Sequence, residues 1–351
     1  MQVNQNMNEP VRNKKPTSYW LAIIFGILLG VSAFANLILF VALVSKVATS
    51  MTTGGFQDKR YLEKYISGDA SSNNKILLVP IKGVIMSGAG QAGFWGESLD
   101  MVQSVAEVLE IAQKDNNIKA IILDVNSPGG SVTASDNIHK SLVRFKEKRP
   151  DVIIVAYFGE LAASGGYYVS MPAGRIVAHP TSITGSIGVI AKLLNIEGLF
   201  DKIGLKEIAV KSADKKDMLS STRTMTEEER AILQSMINEM YERFLGIVVA
   251  GRPNMSKEEI RKLADGRVYT GEQALQKGLV DELGDKEDTY EITKKIAKIS
   301  DAKIVQFERR HNIWDLFEMK ASAKPVDFAG ELKSMILEKN TPRMYYLWQM
   351  E

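Results

Sequence analysis

No cysteine occurs in the chain. That single absence removes disulfides, thiolate zinc sites, cysteine nucleophiles and a lipid-modified cysteine, and it is neutral about compartment. Histidine is scarce as well: His139, His179 and His311 are the whole supply. A charge excess is also missing. Lys and Arg number 44 against 42 Asp and Glu, a formal net charge of +2, whereas a nucleic-acid-binding domain carries a strong basic excess. What remains is an ordinary folding composition, 45% hydrophobic over 351 residues, enough for one or two domains.

One stretch lacks charge altogether. Tyr19–Val44, "YWLAIIFGILLGVSAFANLILFVALV", holds a single strong polar residue, Asn36. As a helix rising about 1.5 Å per residue it outspans the ~30 Å hydrocarbon core of a bilayer, with Tyr19 and Trp20 placed as interfacial aromatics. Arg12, Lys14 and Lys15 precede it and only Lys46 follows closely. By the positive-inside rule, residues 1–18 stay cytoplasmic, 19–44 form a transmembrane anchor, and everything after is exported. A cleaved signal peptide is the rival reading, since "AFA" at Ala33–Ala35 has the small-residue pattern of a cleavage site. The apolar run continues well past it, longer than an ordinary signal core, which favours an uncleaved anchor.

Residues 45–74 are rich in Ser, Thr, Gly and Asn and read as a linker, with one short helix expected near Tyr61–Ile66. From Lys75 onward β-branched runs alternate with amphipathic stretches. "KILLVPIKGVI", "IKAIILDVN" and "DVIIVAYFG" suit buried strands; the segment from Ser98, with Ser98 as N-cap, and "SVTASDNIHKSLVRFKEK" suit helices. That alternation implies parallel βαβ units and an α/β fold. "IGVIAKLL" and "KEIAVKSA" read as further strands. Thr226 and Glu229 have the spacing of a capping box at the head of a long helix, and shorter helices are expected near Ser256–Ala264 and Gly271–Lys277. Residues 75–310 form the main domain on this reading, and 311–351 a less periodic tail. Its last ten residues, "PRMYYLWQME", are rich in apolar and aromatic groups, which is costly for a chain end left in water. They pack on their own domain or occupy a groove and regulate access to it.

Three glycine-bearing loops fall at the expected C-terminal ends of strands, where open α/β sheets place their sites. They are "NSPGGS" (126–131), "AASGG" (162–166) and "TGSIG" (184–188). Ser164 stands where a buried strand gives way to a helix, a corner that can lift a hydroxyl out of the fold. Glycine amides beside it, at Gly130 and Gly165, can form an oxyanion hole worth a few kcal/mol per donor. A serine nucleophile needs a base. His139 lies midway in a helix and reads as a surface residue, His311 begins the tail, and His179 is the one histidine that rivals a lysine. Lys211, Lys215 and Lys216 follow another apolar run, and burial can bring a lysine down from ~10.4 toward neutrality.

In this order, "NSPGGSVTASDNI", "LAASGGYYVS", "PTSITGSIGV" and "KSADKKDML" resemble the signal peptide peptidase A family of Ser/Lys proteases. "ADGRVYTGEQALQKGLVDELG" (264–284) resembles that family's closing segment, so the likeness runs over about 75–296. Length and the N-terminal apolar segment are similar to the short, single-copy form. The resemblance implies a Clp protease/crotonase-like α/β fold, a repeated β-β-α superhelix with parallel strands, preceded by one transmembrane helix. It also implies roles: Ser164 as nucleophile, Lys216 as general base, Ser186 orienting that lysine, and Gly130 and Gly165 as oxyanion donors. The chain departs from the family pattern at Lys215, which stands beside Lys216 where relatives carry a bulkier residue. Peptide substrates are implied too, namely remnant signal peptides and misfolded exported proteins, with no cofactor and no nucleic acid. Relatives form homo-oligomeric rings in which neighbouring subunits complete each site. Two other readings compete: an acyl-CoA enzyme of the crotonase type, which would need no serine nucleophile, and a membrane scaffold that kept the fold without the activity.

Overall fold

The computed structural model describes residues 17–49, 60–88, 90–93, 96–98, 100–310 and 344–348. Arg12, Lys14 and Lys15, on which the orientation rests, lie outside the described residues, as do His311 and most of the tail. The chain divides into two units, before and after Gly55.

The first unit holds helix α1 (Thr17–Thr49, 33 residues). Its described apolar side chains, Phe25, Leu29 and Phe34 among them, are exposed. Ser18–Val41 is long and apolar enough to cross a membrane. Asn36, the one strong polar residue, turns its amide back to the Ser32 carbonyl at 2.8 Å, which satisfies a donor without solvent.

The second unit is built on a nine-stranded sheet. Its elements in chain order are β1 (Tyr61–Gly68), β2 (Lys75–Lys82), β3 (Gly90–Gly93), β4 (Gly96–Ser98), α2 (Met101–Lys114), β5 (Ile118–Ser127), β6 (Gly129–Ser131), α3 (Val132–Lys148), β7 (Ile153–Ala163), α4 (Gly165–Ser170), β8 (Arg175–Ala178), β9 (Ile183–Gly185), β10 (Ile190–Ala191), α5 (Glu197–Ile203), a 3-10 turn (Asp214–Asp217), α6 (Glu227–Gly251), α7 (Lys257–Leu263), β11 (Val268–Thr270), α8 (Gly271–Gln276), β12 (Glu282–Leu283), α9 (Lys286–Ala297), β13 (Lys303–Arg309) and β14 (Met344–Leu347). The order across the sheet is β1-β13-β2-β5-β7-β8-β12, with β9 branching from β7 and β11 from β9. All pairs from β13 to β12 are parallel, so the expected parallel core holds.

Period-two alternation decides which face each residue meets. Leu77, Val79 and Ile81 of β2, with Ile121, Leu123 and Val125 of β5, join the core shared with α2, α3, α4 and α6. Ile76, Leu78, Ala120 and Ile122 enter a second core under α9, capped by Tyr290. Both faces are dry, as a crossover-built parallel sheet requires.

Three expectations need correction. Residues 61–66 are a strand, not a helix: Tyr61 is buried and β1 pairs antiparallel with β13, so sheet pairing overrides local pattern. "KEIAVKSA" forms no strand. Ile208 and Val210 are 86% and 98% exposed, and only Ile190–Ala191 of the preceding run pairs. Helix α2 starts at Met101 because Asp100, not Ser98, caps it, accepting from the Val102 amide at 2.9 Å. The capping box of α6, Thr226 with Glu229, forms as expected.

Candidate active site

Strand β7 ends at Ala163 and α4 begins at Gly165, so Ser164 carries the whole reversal of the chain. Its φ of 54° and ψ of −112° lie where a side chain is strained, and the surroundings must enforce them. They do so through two bonds. The Ser164 amide donates to the Gly185 carbonyl at 2.8 Å, and the Ser164 carbonyl accepts from the Tyr168 amide at 2.9 Å. The residue is buried at 1% exposure, and its hydroxyl enters none of the hydrogen bonds among the described residues.

The other loops converge here. Gly129 has φ of 96°, and a Cβ on it would collide with the Tyr346 carbonyl oxygen and come within 2.5 Å of the Gly165 amide nitrogen. A Cβ on Gly165 would come within 3.0 Å of Gly129 Cα and 3.1 Å of the Gly130 nitrogen. These contacts explain the glycines by close approach and bring the Gly130 and Gly165 amides to one place. Ser127 supports the loop: its Oγ donates to the Gly83 carbonyl at 2.7 Å and accepts from the Gly129 amide at 3.1 Å. Ser186 follows Gly185 directly, is buried, and has φ of 49° with its amide on the Arg267 carbonyl at 2.8 Å. Ser164, Gly130, Gly165 and Ser186 therefore come together.

Among the described residues no bond brings Lys216 to them. It sits on the 3-10 turn within an excursion, residues 204–226, whose side-chain bonds run internally and to its flanks. Lys211 and Arg223 clamp Asp217, Arg223 also holds Glu229, and Lys215 pairs with Glu228. Among the described residues no hydrogen bond or ion pair ties this excursion to β6, α4 or β9. Lys216 itself is exposed; its amide donates to the Ala213 carbonyl at 3.1 Å, and its ammonium enters no hydrogen bond or ion pair among the described residues. Bonding to Glu228 raises the Lys215 pKa, the wrong direction for a base at neutral pH. Arg223, then Lys211, hold the Asp217 carboxyl well below the usual range.

The histidines differ from expectation in one case. His139 is half-buried rather than a surface residue. Its ring meets Tyr168 edge-on at 5.4 Å, and burial lowers its pKa to about 4, with Arg243 and Lys140 acting the same way against Asp136. His179 is spent on its own turn, its Nδ1 2.8 Å from the Thr181 hydroxyl.

Across the glycine loops lies the end of the tail, for which the sequence offers packing on its own domain or a place in a groove; it lies there as a paired strand, which the sequence does not announce. Strand β14, from the tail, pairs antiparallel with β6, Tyr346 opposite Gly130 and Leu347 opposite Gly129, and pairs with β10 on its other edge. The Trp348 amide donates to the Pro128 carbonyl at 2.8 Å. Tyr346 is fully buried, stacked on Tyr168 at 5.0 Å and tilted against Phe244 at 4.7 Å, with its hydroxyl donating to the Met240 carbonyl at 3.0 Å. Tyr168 in turn donates to Asp136 at 2.8 Å, which Arg243 clamps from the other side at 2.6 Å. Burial pushes the Tyr346 and Tyr168 phenols far up, so both stay neutral donors. The aromatic residues "YY" at 167–168 hinted at this pocket, but only the fold brings Phe244 and Met240 to it.

A parallel sheet crossed by glycine loops, with a strained serine at the strand-to-helix corner, is the frame of Clp-type serine peptidases, and residues 97–184 match the Clp protease family. Residues 145–300 match the family described as Peptidase family S49. The chain is 37% identical over 240 residues to "Putative signal peptide peptidase SppA" of Enterococcus faecium, covering 68% of this chain and 69% of that one. It is 36% identical over 280 residues to "Putative protease MJ0651" of Methanocaldococcus jannaschii, 79% of this chain and 86% of the other. Protease 4 of Salmonella typhi is 32% identical over 275 residues, 78% of this chain but 43% of the longer protein. This chain belongs to peptidase family S49 and is a serine protease.

Proposed function

We propose that the protein is a membrane-anchored endopeptidase that degrades remnant signal peptides and unfolded exported chains with Ser164 and Lys216. The observation that carries this reading is β14. A peptide strand lies antiparallel on β6, its Tyr346 carbonyl beside Gly129 and Gly165, in the place an extended substrate would take. The tail is then a bound substrate mimic, which slows entry and is itself open to cleavage.

Neutral Lys216 takes the Ser164 hydroxyl proton as Oγ bonds to the peptide carbonyl carbon. The Gly130 and Gly165 amides hold the resulting oxyanion. Its collapse breaks the C–N bond, and the Lys216 ammonium protonates the departing amine. Water, deprotonated by the same lysine, attacks the ester; the C–Oγ bond breaks and the proton returns to Ser164. Ser186 orients the lysine. Because Lys216 is exposed on an excursion bonded elsewhere, the lysine of a second copy completes the site. The exposed Leu194, Ile208 and Val210 near it suit a subunit contact in a homo-oligomeric ring. Helix α1 anchors the chain with the N-terminus cytoplasmic and the protease outside.

A fluorophosphonate probe tests the nucleophile in the full-length, detergent-solubilised protein. Labelling of the wild type that disappears in Ser164→Ala is expected. Equal labelling of both would exclude Ser164.

A further inference from the structure

Four helical hydroxyls turn back onto the carbonyl one turn earlier: Ser141 to Asn137, Ser170 to Gly166, Thr289 to Asp285 and Thr293 to Thr289, at 2.7–3.0 Å. This is the default for a serine inside a helix. Ser135, in the first turns of α3, does otherwise. It is fully buried, and its Oγ has no hydrogen-bond partner among the described residues. The oxygen is aimed at the site instead: a Cβ on Gly165 would lie 2.6 Å from it, beside Gly129 Cα and the Gly130 nitrogen. A buried hydroxyl left unpaired is expensive, and natural proteins keep such groups where they have a task.

We propose that Ser135 is a positioning residue of the oxyanion hole. Its hydroxyl, pressed on Gly165, fixes the gap between the Gly165 and Gly130 amides. Its O–H dipole, committed to no acceptor, turns toward the negative charge that develops at those amides. An interaction present only when charge develops lowers the barrier without tightening substrate binding. The inference rests on the assignment of Gly130 and Gly165 as oxyanion donors.

Ser135→Ala removes the hydroxyl, and Ser135→Cys fills its place with a somewhat larger thiol while replacing O–H by a weak donor. The readouts are kcat and KM on a fluorogenic peptide with tyrosine before the cleaved bond, together with the pH profile and Tm. A direct oxyanion donor is worth about 10²–10³ in kcat, so one step removed the expected loss is about tenfold. Both variants should lose it alike, with KM within about twofold, the pH inflection unmoved and Tm not lowered. Wild-type kcat in Ser135→Ala would overturn the proposal. So would wild-type kcat in Ser135→Cys, or a loss that tracks a lowered Tm, since either makes the role one of packing. Fluorophosphonate labelling in parallel separates the two readings: if Ser164→Ala still labels, the assignment of the site has failed, whatever Ser135 does.

Discussion

At residue 164 chemistry and backbone strain meet. A serine with φ of 54° carries about 1–3 kcal/mol of strain, of which glycine is free, although glycine gives back up to about 1 kcal/mol through the unfolded chain. Ser164→Gly should therefore raise Tm by about 2–4 °C while abolishing hydrolysis, as thermal unfolding beside a casein assay would show. A lower Tm would mean that the corner is relaxed. The lysines make a second contrast. Lys216→Ala should lose hydrolysis and Lys215→Ala keep most of it, because Lys215 is engaged by Glu228. Wild-type activity should rise with pH through an inflection well below ~10.4, the signature of a lysine base. The reverse ranking of the two variants would shift the base by one residue. Ser164, Gly130, Gly165 and Ser186 were legible in the sequence because small residues after apolar runs announce close approach. The idle hydroxyl of Ser135 was not, since an inward-facing helical serine leaves no trace in pattern.

Among the elements, α3 and β14 carry the sharpest expectations. Helix α3 presents His139 against Tyr168, with Asp136, Lys140 and Arg243 around it. Its folded pKa of about 4 lies under the ordinary 6.5, so the unfolded chain binds the proton first as pH falls. Stability present above about pH 6.5 is lost progressively toward pH 4. His139→Gln should remove about 1–2 kcal/mol of that loss, discounted because the ring is partly solvated, as urea midpoints at pH 7 and 4.5 would reveal. An unchanged difference between the two pH values would assign the acid sensitivity elsewhere. Deleting Pro342–Glu351 removes β14 and should raise the initial rate on small reporters severalfold, at some expense in Tm because the Tyr346 pocket empties. If Tm falls and activity does not rise, the strand serves packing alone. The central strands and the capped helices could be read from periodicity, since burial on two faces or one writes itself into every second or fourth residue. β14 could not. Its partner β6 is a short glycine-bearing strand more than two hundred positions away, and glycines carry no pattern to match.

For the whole molecule, the proposal that a second copy supplies Lys216 leads to a mixing experiment. Ser164→Ala and Lys216→Ala, each inactive alone, should regain a measurable fraction of wild-type activity when co-assembled, because some sites then join an intact serine to an intact lysine. Continued inactivity of a mixed assembly, verified by pull-down of differently tagged subunits, would place both residues in one subunit. Protease added outside intact protoplasts should remove everything beyond Lys46; protection would reverse the assigned orientation. Fold class was legible at this scale from the alternation of strands and helices. That a neighbouring subunit completes the site was an expectation of the family resemblance alone, because sequence order says nothing about which copy of a residue is used.

The ladder between β6 and β14 has a consequence for the choice of target. A groove that grips main chain on both edges admits a segment only after that segment has released its own internal hydrogen bonds. Selection is thus made upstream of any side-chain preference, by the target's own opening equilibrium. Natively folded neighbours, whose cleavable loops open once in thousands of encounters, are spared without being recognised. A peptide chain that opens readily is instead cleaved at a rate proportional to the fraction of time it spends extended.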